Sequence, residues 1–248
     1  MKQFTLIALS ILLCCCTPRS TEERHEGGSV QNDTTKADTL TAHLKPFRKD
    51  LPTIGLLMYS GVLTTEVTAA ADVFTKPTVD GKRLFNVITV AGSADPIVTE
   101  EGLRMIPDHT FATCPDLDVL FVPSAYDMYA QVHNAEILRF IREQNAKTRY
   151  TVSNCAGAQL IGASGIASGK KIVTWIGGGA QLQKDYPDLL VQNDSVVSFV
   201  EDGKFSSSNG NLASYIASLN LLEKMTSAEH RDFVASYLYL DQLQAYRH

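Results

Sequence analysis

The chain predicts an α/β fold: a mostly parallel central sheet with helices on both faces. Three observations carry this. From Leu51 onward, short β-favouring runs alternate with stretches of helical periodicity. The run Leu117 to Pro123 is strongly apolar, as a strand buried on both faces must be. Tyr150 to Ser153 passes without a spacer into the small-residue run that begins at Ala156, so a strand there must turn sharply into a helix.

Taken in order, Thr53 to Tyr59 predicts a buried strand. Thr64 to Thr75 predicts a helix with Val67, Ala70, Ala71 and Phe74 on its inner side. Leu84 to Ala91 is a second strand, and Leu103 to Ile106 a short strand or hairpin arm. Leu117 to Pro123 is a central strand, ended by its proline. Asn134 is placed to cap a helix through Asn145, in which Ile137, Leu138 and Ile141 share a face. After the strand at Tyr150 and the helix from Ala156, Lys171 to Trp175 predicts another strand and Gly177 to Tyr186 a short helix. Val196 to Val200 and Lys204 to Ser207 flank the turn residues Glu201-Asp202-Gly203 as a hairpin. Asn211 to Met225 and Ala228 to Tyr246 close the chain as two helices.

The turn at Asn154-Cys155-Ala156 is the chemically suggestive point. A cysteine there stands at the carboxyl end of a strand, where open α/β sheets carry their sites. The free amides of a starting helix favour a thiolate and so predict a lowered thiol pKa. The Ala156 amide is placed to hold developing negative charge. Small residues at Ala156, Gly157 and Ala158 let backbone approach backbone. The same pattern also fits a buried structural cysteine at a strand end.

The amino terminus has a separate logic. Met1-Lys2 precedes an apolar run from Phe4 to Leu13 that is short for a bilayer span and suited to an export signal. Leu13 with Cys15 before Cys16, or Leu12 with Cys14 before Cys15, resembles the lipobox of bacterial lipoproteins. That resemblance implies cleavage and lipidation of Cys16 (or Cys15), with the protein held at a membrane of the cell envelope, periplasmic or surface-facing. An ordinary secretory signal or an uncleaved anchor is the competing reading. Thr17 to Asp50 is polar and poor in large apolar residues, so it predicts a flexible tether. The expected organisation is therefore a signal over 1–16, a tether over 17–50 and a folded domain over 51–248. Cys114 and Cys155 are the cysteines outside the leader, too few for a disulfide framework. A net charge of −5 gives no basic footprint for nucleic acid.

From about Pro52 to Gln242 the chain resembles the ThiJ/PfpI superfamily, the class I glutamine-amidotransferase-like fold, and within it the isonitrile-hydratase-like branch. The residues carrying the match are Ser153-Asn-Cys155-Ala-Gly157-Ala-Gln-Leu and Ala163-Ser-Gly165-Ile-Ala-Ser-Gly169-Lys-Lys. Asp116-Leu-Asp-Val-Leu-Phe-Val-Pro123, Glu201-Asp-Gly203-Lys-Phe-Ser-Ser207, and Glu66 with Asp72-Val-Phe74 also match. The resemblance implies a flavodoxin-like three-layer sandwich with a cysteine nucleophile elbow. It implies Cys155 as nucleophile of a hydrolase, hydratase or lyase acting on a small molecule. Glu66 is implied as the acidic neighbour of its sulfur, with Ala156 and Ala125 as backbone donors to an oxyanion. Homodimers are usual in the family.

Three positions depart from the family pattern. Trp175 stands where many members carry a histidine, and an indole cannot exchange a proton near neutral pH. Ala156 replaces a threonine, and Ser124-Ala125 replaces two glycines. Together they raise the competing reading of a catalytically degenerate member that binds a ligand or senses oxidants through its thiol. Ser124, Tyr126, Trp175, Asn209 and Gly210 are expected to line the pocket; Asp127 and Tyr129 share the Tyr126 loop. His109 and His133 match no catalytic position and are expected to pack or face solvent. No metal-ligand spacing, phosphate-binding glycine fingerprint or cofactor motif emerges, and Gly177-Gly-Gly179 reads as a turn entering a helix.

Overall fold

Seven strands form the central sheet, and the order in which they lie brings four carboxyl ends together. The structure, a computed structural model, describes residues 45–246. The predicted leader and most of the tether, residues 1–44, lie outside the described residues. From Phe47 onward the chain gathers into one compact unit. Its first residues are tied down by Asn86, whose side chain accepts from the Arg48 amide at 3.0 Å and donates to the Arg48 carbonyl at 2.7 Å.

The strands are β1 (Thr53–Leu57), β2 (Asn86–Ala91), β3 (Ile97–Val98), β4 (Arg104–Met105), β5 (His109–Thr110) and β6 (Val119–Val122). They continue with β7 (Tyr150–Asn154), β8 (Lys171–Ile172), β9 (Leu190–Val191), β10 (Phe199–Asp202) and β11 (Phe205–Ser208). In space the main sheet runs β10-β11-β7-β6-β1-β2-β5, and only the β10–β11 pair is antiparallel. Strands β1, β6 and β7 are buried along nearly their whole length, as a sheet covered on both faces requires.

The helices are α1 (Thr64–Phe74), α2 (Tyr129–Val132), α3 (Ala135–Lys147), α4 (Gly157–Ser164), α5 (Gly179–Asp185), α6 (Ala213–Met225) and α7 (Ala228–Tyr237). Helix α1 packs with α6, and α6 with α7, whereas α3 packs with α4 against β6 and β7. Asn134 caps α3 as predicted, its Oδ1 accepting from the amides of Glu136 and Ile137 at 2.9 and 3.2 Å. Phe74 at the end of α1 meets Phe85 and Phe121 edge-on, with centroids 5.2 and 5.8 Å apart, and so ties this helix to the sheet.

Two predicted elements are corrected. The strand expected over Lys171 to Trp175 is only Lys171–Ile172, and it pairs with β9 in a separate two-stranded sheet. The chain leaves extended pairing because Val173 gives its amide to the Ser207 hydroxyl at 2.8 Å, and Trp175 enters a turn closed by Gly178 N–H on its carbonyl. The last helix stops at Tyr237. Tyr239 takes a positive φ of 56°, which interrupts α-helical geometry, and a 3₁₀ turn follows over Leu240–Tyr246.

Candidate active site

The parallel register sets the site. Val122 lies opposite Ser153, and Asn154 opposite Ser208, so β6, β7 and β11 end at one edge, with β1 beside β6. The next residues on each strand therefore converge: Tyr59 after β1, Ser124 after β6, Cys155 after β7 and Gly210 after β11. Helix α1 begins just beyond β1 and contributes Glu66 from its first turn.

Cys155 occupies the turn between β7 and α4 with φ +52°, a left-handed conformation that costs a non-glycine residue roughly 1–2 kcal/mol. Its amide donates to the Ser208 carbonyl at 2.9 Å, and its carbonyl accepts from the Thr174 hydroxyl at 2.9 Å. Helix α4 then starts in contact with the end of β6: a Cβ on Gly157 would stand 2.2 Å from the Val122 carbonyl oxygen. Only glycine fits that approach.

Glu66 is fully buried. Its Oε2 accepts from the Ser124 amide at 2.7 Å, and the Asn211 amide also favours its charged form. Burial outweighs these donors and raises its pKa to about 6. Its Oε1 has no hydrogen-bond partner and faces Gly210. A Cβ on Gly210, where φ is +85°, would lie 2.2 Å from Glu66 Oε1 and 2.4 Å from Cys155 Cβ. The glycine is thus what allows the carboxyl and the cysteine to come together.

The thiol does not follow the sequence expectation. Burial first, and then the Glu66 charge, push Cys155 up to about 11. The Ser124 hydroxyl and the Ala156 amide pull the other way and are outweighed. A helix start contributes partial charges, whereas desolvation and a neighbouring carboxylate act on the full charge of the thiolate. With both acids raised, the pair in its resting form has the proton on sulfur and the negative charge on Glu66.

The remaining predicted residues are spread around this pair. Ala156 is buried, with its amide beside the sulfur. Ala125 is buried too, but its amide donates to the Met128 sulfur at 3.1 Å, so it does not stand free as the second oxyanion donor that was expected. Tyr126 and Tyr129 are 79% and 71% exposed, and the Asp127 carboxylate accepts from the Tyr129 amide at 2.9 Å. Trp175 is half-buried and its indole packs against Gly178, where an added Cβ would fall 2.0 Å from the ring. Asn209 is partly buried and donates to the Thr174 carbonyl at 2.6 Å, bracing the residue that holds the Cys155 carbonyl. Its Oδ1 is buried without a partner.

His109 lies on edge strand β5, four strands from β7, or about 19 Å at ordinary strand spacing. His133 is exposed at the end of α2 and bonds the Tyr129 carbonyl through Nδ1 at 2.8 Å. The Cys114 thiol donates to the Pro115 carbonyl at 3.3 Å, and burial pushes it up to about 12. Cys15 and Cys16 lie outside the described residues. Among the described residues, no group of three His, Cys, Asp or Glu gathers in a metal-binding cluster. A cleft of about 490 Å³ opens beside Gly177, Gln183, Asn193 and Asp194, and neither Cys155 nor Glu66 lines it.

Sequence reasoning missed Tyr59, Thr174 and Asn211. Tyr59 donates to the Pro123 carbonyl at 2.6 Å, and burial followed by the nearby Glu66 and Cys155 charges holds its own pKa well up. Its place at the carboxyl end of β1 was the available signal. Thr174 and Asn211 carried none, because each acts through contacts made across the chain.

The fold has counterparts among known proteins. Residues 53–224 match the DJ-1/PfpI family. An isonitrile hydratase of Pseudomonas putida is 28% identical over 186 residues, 73% of this chain and 75% of that protein. A ThiJ/PfpI family protein from Pseudomonas syringae superposes with a TM-score of 0.69 at 23% identity, covering 82% of this chain and 84% of its own. Drosophila melanogaster DJ-1beta gives 0.67 at 20% identity, covering 76% and 98%. With a sheet order that brings Cys155 and Glu66 to one edge and a family match over most of its length, the chain belongs to the DJ-1/PfpI family.

Proposed function

We propose that the protein is a cysteine-dependent hydratase or hydrolase acting on a small electrophilic molecule, with Cys155 as nucleophile and Glu66 as the acid–base group beside it. The observation that carries this is a cysteine at φ +52° sharing a buried site with a carboxyl group whose pKa is raised to about 6. A carboxyl titrating near neutrality is suited to taking and returning a proton within one cycle. Glu66 would accept the Cys155 proton, and the thiolate would attack the electrophilic carbon. For an isonitrile, the likeness to isonitrile hydratase suggests the sequence. Sulfur bonds to the terminal carbon and the proton held by Glu66 passes to that carbon, giving a thioimidate. Water then adds to the same carbon, the C–S bond breaks and the thiol is restored, so that isonitrile and water yield a formamide. The Ala156 amide holds charge as it develops. This path uses a thiol and a carboxyl, so the indole at Trp175 does not impede it.

The protein is further proposed to be an envelope lipoprotein anchored through Cys16 (or Cys15), to form a homodimer, and to bind no nucleic acid. A second reading, a ligand-binding or thiol-sensing member without turnover, is favoured by the Ala125 amide turned to Met128 rather than left free for an oxyanion.

The two readings separate in one screen. Isonitriles, reactive aldehydes and small amides are offered to the protein, to Cys155→Ser and to Glu66→Gln. The enzyme reading expects turnover that disappears in Cys155→Ser and falls about 100-fold in Glu66→Gln. Oxidation of Cys155 by peroxide, with no turnover on any class, rejects the enzyme and supports the sensor.

A further inference from the structure

The Cys155–Glu66 pair leaves one neighbouring group without a role, the hydroxyl of Ser124. The residue is fully buried, and its Oγ has no hydrogen-bond partner. An unpaired buried hydroxyl is destabilising, so its presence asks for an acceptor that needs it in another state. Its backbone is fixed on both sides. The amide donates to Glu66 Oε2 at 2.7 Å, and the carbonyl accepts from Leu63 at 2.8 Å. What remains free to move is the side chain itself, by rotation about Cα–Cβ and Cβ–Oγ.

Two other donors close to Ser124 are engaged. The Ala125 amide is held by Met128, and the Tyr59 hydroxyl donates to Pro123 at 2.6 Å. Glu66 from α1 and Tyr59 from the end of β1 are the titratable groups facing Cys155. Ala156 offers an amide and no hydroxyl. The Ser124 hydroxyl favours the charged form of both Glu66 and Cys155, so it lies within reach of either.

We propose that the Ser124 hydroxyl, unpaired beside the resting pair, is a mobile donor that turns to the Cys155 sulfur as the proton passes from Cys155 to Glu66. The S–H bond breaks with its electron pair left on sulfur, and an O–H bond forms on Glu66. Ser124 keeps its own proton, and the site carries one negative charge throughout. Together with the Ala156 amide, Ser124 gives the thiolate two donors, which the resting thiol does not require. The role rests on Cys155 and Glu66 being the working pair.

The test uses the full chain with Cys114→Ser, so that Cys155 is the thiol observed in the folded domain. Iodoacetamide alkylation is followed from about pH 6 to about pH 9, below the thiol titration, in that parent and with Ser124→Ala, Ser124→Gly or Ser124→Thr added. Mass spectrometry assigns the modified site, and thermal melts show that each variant is folded. Ser124→Ala and Ser124→Gly should be about tenfold slower at each pH, as a thiol titration raised by about one unit requires, and Ser124→Thr, which keeps the hydroxyl, should retain the parent rate. The shift should persist when Glu66→Gln is added, because the donor acts on sulfur. Ser124→Ala and Ser124→Gly as fast as the parent, or Ser124→Thr as slow as they are, overturn the proposal. Alkylation needs no substrate, so a shift without turnover rejects the enzyme alone, and turnover without a shift rejects this role alone.

Discussion

Glu66 Oε2 accepts the Ser124 amide at 2.7 Å, joining the first turn of α1 to the turn after β6 inside the protein. Helix α1 is also stapled at its start, where the Thr64 amide donates to Glu101 at 3.0 Å. A buried carboxyl in such a place is positioned by backbone from two elements, which keeps it aimed at the cysteine turn.

That buried carboxyl makes folding stability depend on pH. Glu66 titrates at about 6 in the folded protein against 4.5 as its reference. Between these values the folded state binds more protons than the unfolded one. The Glu66 contribution is fully present below about pH 4.5 and is lost as pH rises through about 6. The shift corresponds to roughly 2 kcal/mol. Glu66→Gln keeps an oxygen for the Ser124 amide and removes the charge. Urea unfolding at a series of pH values should show this slope in the native protein, and a flatter profile with greater stability at pH ~7 in the variant.

Gly210 is predicted to tolerate no side chain. An added methyl would enter the space held by Glu66 Oε1 and Cys155 Cβ, and the φ of +85° adds strain. Gly210→Ala should cost about 1–3 kcal/mol and displace the carboxyl from the cysteine. The expected result is a lowered melting temperature and altered Cys155 alkylation in the protein that remains folded. Unchanged melting and alkylation would count against the close approach.

The amino terminus carries its own prediction. If the leader is cleaved and lipidated, the full chain expressed in a bacterium with a lipoprotein pathway should fractionate with membranes. Replacing Cys15 and Cys16 with alanine should release it to the soluble fraction. Soluble protein from the unaltered chain would dispose of the anchor. Among the described residues no helix is long and apolar enough to cross a membrane, so the folded domain supplies no span of that kind.

The sequence by itself determined the α/β alternation, the Asn134 cap and the abrupt passage from Tyr150–Asn154 into Gly157–Ser164. These features are local, because hydrophobic period, a capping side chain and small residues at a turn act within a few positions of the chain. Cys155 was legible for that reason, and Glu66 became legible through resemblance. Tertiary structure decided the rest. It shortened Lys171 to Trp175 as a strand, turned the Ala125 amide toward Met128 and placed Gly210 between the two site residues. It also reversed the expected direction for the Cys155 thiol. A helix start can be read from neighbouring residues, whereas desolvation and a carboxylate 89 positions away in sequence exist only once the strands have assembled.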